Sequence, residues 1–135
     1  MNRANLLMAL ILGAVLIGGC EGGFVAGSKS VAIQSGQFIS RDGYVISVYN
    51  YPFDRVWQGA EKILKDMSAR DIEKTLKIGK GTLTGNVQDD KVVLQVEFQE
   101  KDKTAVSILV GLSGSRIASQ LIHDRLRQEL AKTSS

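Results

Sequence analysis

A chain of 135 residues, 44% apolar and 23% charged, has the material for one small folded domain and not for two. Its 17 basic side chains nearly balance 14 acidic ones, and no concentrated basic stripe of the kind a nucleic-acid binder needs is present. One cysteine, Cys20, and one histidine, His123, exclude an internal disulfide framework and a His/Cys metal site.

The chain opens with Met1–Asn5, where Arg3 is the only charged side chain, and continues into an apolar run, Leu6–Ile17. At about 1.5 Å rise per residue that run is too short for a bilayer core of roughly 30 Å, and it fits the apolar region of a secretory signal. The next residues, Leu16-Ile17-Gly18-Gly19-Cys20, resemble the lipobox of bacterial lipoproteins. The alternative is an ordinary signal peptide or uncleaved anchor with a chance cysteine.

The lipobox resemblance implies a signal peptide over 1–19, cut just before Cys20. It also implies a diacylglycerol on the thiol and an acyl chain on the new amino group, with no other cofactor. Residue 21 is Glu rather than Asp. In Gram-negative lipoproteins that leans toward the outer membrane, facing the periplasm.

Half of the 14 glycines fall between Gly18 and Gly43, so residues 20–36 read as the lipidated cysteine and a flexible tether. A single domain is expected over 37–135. Gln37–Arg41 and Tyr44–Tyr49 flank Asp42-Gly43, a turn pair that tolerates positive φ, and predict a hairpin. Pro52 stops the strand, and Asp54 is the expected cap of a helix over Arg55–Ser68. Its stripe is Val56, Trp57, Ala60, Ile63, Leu64 and Met67, with Gly59 allowing close approach to the sheet.

Four strands are expected next, over 72–78, 82–87, 92–98 and 106–110. They are separated by Gly79-Lys80-Gly81, Asp89-Asp90 and the polar run Gln99–Lys103. Ser115 is the expected cap of a last helix whose stripe reads Ile117, Ala118, Leu121, Ile122, Leu126 and Leu130. The whole predicts an α+β fold: hairpin, helix, four-strand meander and helix, with two helices on one face of an antiparallel sheet.

From Tyr44 to Leu130 the residues resemble the C-terminal domain of small Gram-negative bacterial lipoproteins catalogued as a domain of unknown function. The shared pattern is a tyrosine-rich strand running into Phe53-Asp54-Arg55-Val56-Trp57, then Ala60 and Leu64. A Gly81-x-x-x-Gly85 strand follows, and then Val106-Ser107-Ile108-x-Val110-Gly111. Such domains often carry a glycine where this chain has Ser68-Ala69-Arg70. The element order is also similar to the helix-grip domains of the C lipoprotein of the outer-membrane barrel-assembly machinery. That is fold analogy, which does not fix function.

Chemistry is sparse. His123, at the edge of the last stripe, reads as a partly exposed structural histidine, and the acidic residues of the turns read as solvated charges without calcium-loop spacing. Lys74, Lys77 and Lys80, or Arg116, Arg125 and Arg127, read as charged outer faces, with contact to anionic lipid as the alternative. No metal site and no catalytic residue are assigned.

The expectation is a non-enzymatic, lipid-anchored envelope protein that serves a protein partner. An edge strand at Phe38–Arg41 or Val31–Ile33 is the expected docking place. The alternative is a periplasmic binder of lipid or a small apolar ligand, in a pocket lined by Trp57 and Leu64.

Overall fold

A computed structural model describes residues 24–26, 29–31 and 37–132. The expected signal segment and lipobox, with Cys20, lie outside the described residues. Strands β1 (Phe24–Ala26) and β2 (Lys29–Val31) pair with each other as a separate two-stranded sheet.

The domain proper follows the expected order. It runs β3 (Ile39–Arg41), β4 (Tyr44–Tyr49), helix α1 (Phe53–Asp66), β5 (Arg70–Lys77), β6 (Lys80–Val87), β7 (Asp90–Glu100), β8 (Lys103–Val110) and helix α2 (Arg116–Lys132). The six strands form one antiparallel sheet in the order β3-β4-β8-β7-β6-β5. β4 thus joins the last strand of the meander, and β3 and β5 are the two edges.

Local chemistry explains most boundaries. Asp42 and Gly43 both have positive φ, 52° and 84°, as a tight hairpin turn matched to strand twist demands. Pro52 precedes α1 and makes no side-chain cap, so Asp54 sits inside the first turn, where its charge favours the helix N-terminus. Ser115 does cap α2: its Oγ accepts from the Ala118 N–H at 3.3 Å.

Helix α1 ends in a Schellman arrangement. The Ala69 N–H donates to the Leu64 carbonyl, the Ser68 N–H donates to the Lys65 carbonyl, and Ser68 has φ of 58°. Serine therefore occupies the left-handed position where the resembling domains often place glycine.

The meander turns are tighter than expected. Gly81 lies inside β6 rather than in a turn, because Trp57 needs its missing side chain: a β-carbon there would overlap the indole. Gly85, two pleats along the same face, meets Ala69 and Ile72. The Gly81-x-x-x-Gly85 pattern is thus the floor on which α1 and its exit are seated.

Both helices cover one sheet face. The core joins Val56, Trp57, Ala60, Ile63 and Leu64 of α1 to Leu83, Val92, Leu94, Val96, Val106 and Ile108 of the sheet and to Ile122, Leu126 and Leu130 of α2. Burial of each such aliphatic side chain contributes about 1.5–3 kcal/mol. Gly59 faces α2 and not the sheet: a β-carbon would come 3.2 Å from Leu126 and Leu130 side-chain atoms. Ile46, Val48 and Ala105 form a second, smaller apolar cluster, with Tyr44 packed against it. They alternate along their strands with Val45, Ser47, Tyr49, Val106 and Ile108, so they belong to the opposite face.

Candidate functional site

Strand β4 and helix α2 bring together a buried titratable pair in the core, Tyr49 and His123. Tyr49 ends β4 and His123 sits mid-helix, fully buried rather than at the exposed edge of the stripe. The imidazole Nε2 lies 2.8 Å from the Val45 carbonyl oxygen. A carbonyl only accepts, so Nε2 carries the proton and Nδ1 is the acceptor. The Tyr49 hydroxyl donates to Nδ1 at 2.7 Å, with the His123 carbonyl 3.1 Å from the same oxygen as a secondary acceptor.

Tyr49 stacks on the imidazole with centroids 5.9 Å apart, and the Phe38 ring lies tilted against it at 5.3 Å. Burial holds His123 neutral by pushing its pKa down to about 4, with the hydrogen bond to the Val45 carbonyl opposing and Arg127 adding to the fall. Burial likewise drives the Tyr49 phenol well above its usual range. The arrangement clamps α2 onto β4. Two more hydroxyls of these elements, Ser47 and Ser119, are buried without a hydrogen-bond partner.

The candidate pocket residues go elsewhere. Leu64 is fully buried in the core, and Trp57 is stacked on Phe53 at 6.2 Å over Gly81. Neither lines the larger described groove, about 360 Å³, which lies between the helices and is bounded by Arg55, Gln58, Gly59, Lys62, Glu129 and Leu130. Arg55 donates to the Leu130 carbonyl at 3.0 Å near the C-terminal end of α2 and lies 4.6 Å over the Tyr51 ring. Lys62 bridges Asp66 and Glu129 at 3.1 and 3.2 Å, and those partners raise its pKa. The Phe53-Asp54-Arg55-Val56-Trp57 pattern is thereby explained by packing and helix capping. Among the described residues no three His, Cys, Asp or Glu side chains converge as a metal site would, and no helix is long and apolar enough to cross a membrane.

The surface offers more. Of the expected docking edges, Phe38 precedes β3, and β3 is an edge, but of only three residues. Val31 lies in the separate pair, and residues 32–33 fall outside the described residues. The longer edge is β5, with eight residues of which all but Ile72 are exposed. Among the described residues it pairs only with β6, and it carries a register irregularity between Arg70 and Glu73, where Asp71 has φ of 54°. Lys74 pairs with Glu61 of α1 at 3.3 Å. Beyond it stand Leu76, 60% exposed, and Ile78, fully exposed, with half-exposed Phe98 beside Gly79.

Sequence reading did not find this edge, since strand order depends on long-range pairing. The signal available was Leu76, with Ile78 just past the strand, in a run where most other side chains are charged.

A search of curated proteins finds no match to this chain. A protein-family model does match, over residues 4–129, and so takes in the apolar run Leu6–Ile17 and Cys20 as well as the sheet, helix α1 and most of helix α2. The chain belongs to the family described as "Protein of unknown function (DUF3568)".

Proposed function

We propose that the protein is a non-enzymatic accessory of the bacterial cell envelope, anchored through acyl chains on Cys20. It stands on the outer membrane, faces the periplasm and captures a protein partner by strand addition. One acyl chain anchors marginally, and each buried methylene is worth about 0.8 kcal/mol, so the three chains implied by the lipobox make release negligible. The tether 20–36 then sets the reach and effective concentration of the domain. The family match beginning at residue 4 supports reading leader, cysteine and domain as one unit.

The observation that carries the capture reading is the β5 edge. Its outer row of backbone groups has no strand partner among the described residues. The irregularity at Arg70–Glu73 and the lysines discourage indiscriminate pairing, as edge strands require. They leave a short register, 74–77, in which a partner strand gains by placing apolar side chains against Leu76 and the adjoining Ile78 and an acid near Lys77. An apolar ligand at Trp57 and Leu64 has less support, because both side chains are used in packing. A Trp57 fluorescence shift on adding lipid is the observation that would revive it.

Native mass spectrometry on protein gently extracted from its own membranes tests the proposal. The expected species is a chain beginning at Cys20, with acyl mass, holding a second protein. Leu76→Glu with Ile78→Glu should release that partner while leaving thermal unfolding unchanged. Retention of the partner by the double variant overturns the β5 reading, and an acylated chain carrying only a small apolar molecule turns the assignment to ligand binding.

A further inference from the structure

Helix α2 puts its residues where a core-directed stripe would not. Its buried side is Ser119, Ile122, His123, Leu126, Glu129 and Leu130. At about 100° per residue, Ile117 and Leu121 fall on the opposite arc. They are 74% and 59% exposed, and Leu112, in the loop before the helix, is fully exposed. The expected stripe had taken both helix residues as core.

Basic groups frame these apolar side chains. Arg116 and Arg125 are exposed and have no ion-pair partner among the described residues. Arg127 is exposed too and holds Asp124 at 3.1 Å. The remaining acid, Glu129, turns inward toward Lys62. The outer side of α2 is therefore a net-positive face with protruding branched apolar side chains.

We infer that this face, Leu112, Ile117 and Leu121 framed by Arg116 and Arg125, docks on an anionic phospholipid surface. Side chains standing out from a helix enter the headgroup boundary, and guanidinium groups beside them meet lipid phosphates; this is the pattern of an interfacial helix. The chain's path agrees. Phe38, just after the tether, packs against His123 of α2, and the Arg127 guanidinium lies 5.4 Å over its ring. The described chain thus enters the domain at Phe38 on the α2 side, while β5 closes the far edge of the sheet. Docking through α2 holds the domain down on the membrane with β5 left free. This inference rests on the anchored reading for that last argument.

The test uses the mature lipoprotein purified from its membranes and reconstituted in vesicles. An environment-sensitive fluorophore is attached through Leu121→Cys, Cys20 being blocked by its lipid, or at the control site Leu76→Cys. With phosphatidylglycerol vesicles the label at position 121 should shift to the blue and lose iodide quenching. In neutral phosphatidylcholine, or in high salt, it should stay quenched, and the label at 76 should stay quenched throughout. Arg116→Gln with Arg125→Gln should reduce the shift at 121 with the circular dichroism unchanged.

A label at 121 equally open to iodide in anionic and neutral vesicles overturns the inference, as does a shift at 76 in its place. Chain that carries no acyl mass and leaves the vesicles sinks the anchored reading together with this one. Stable anchoring with a fully quenched label at 121 sinks this one alone.

Discussion

Helix α1 turns Val56, Trp57, Ala60, Ile63 and Leu64 into the core and keeps its charges outside. Helix α2, packed beside it, buries a serine, a histidine and a glutamate among its aliphatic side chains and leaves Ile117 and Leu121 in the open. The first helix is built for packing alone. The second gives up apolar contact on its inner arc and carries apolar side chains on its outer one. The inner loss is offset by directed bonds, since the clamp of Tyr49, His123 and the Val45 carbonyl fixes how α2 is rotated on the sheet. A helix held by hydrogen bonds of one geometry is free to carry a second apolar face for something other than its own fold.

The largest test of this contrast lies between two leucines of α2. Leu126→Ala, at a fully buried site against Gly59, should cost about 3 kcal/mol in denaturant unfolding.

Acid should act next. His123 is neutral in the fold with its pKa near 4, against 6.5 when unfolded, so below pH 6.5 the unfolded chain takes up a proton that the folded one refuses. Stability is therefore full above that pH and falls as pH drops from 6.5 to about 4, by on the order of 3 kcal/mol. Unfolding curves across that window should show the slope, and His123→Gln should flatten it. An unchanged slope in the variant assigns the proton to another group.

Tyr49→Phe leaves Nδ1 of a buried imidazole without its donor and should cost about 1–2 kcal/mol, loosening α2 more than α1 in hydrogen exchange. Ser68→Gly should go the other way and raise the thermal midpoint, gaining about 1 kcal/mol, because the left-handed C-cap strains every residue but glycine. Smallest of all, Leu121→Ala should stay within about 0.5 kcal/mol of the parent. A Leu121 cost as large as that of Leu126 would erase the distinction between the two arcs.

What could be read from the chain itself is what local geometry governs. The turn at Asp42-Gly43, the period-two runs of β6 to β8, the stripe of α1 and the Ser115 cap need only φ preferences and side-chain spacing, and the α+β order of elements follows from them. The candidate docking site was only partly legible. Leu76 and Ile78 were visible as members of a strand, but that β5 is an edge follows from β4 pairing with β8 across the whole chain, a contact no local signal encodes.

The rotation of α2 was likewise settled by tertiary contacts. Ile117, Leu121, Ile122 and Leu126 all recur at helical spacing, so periodicity permits either arc to face inward. The choice fell to the imidazole reaching the Val45 carbonyl, and to Gly59 giving Leu126 and Leu130 room against α1. Those interactions join residues more than sixty positions apart, and they exist only once the sheet has brought those residues together.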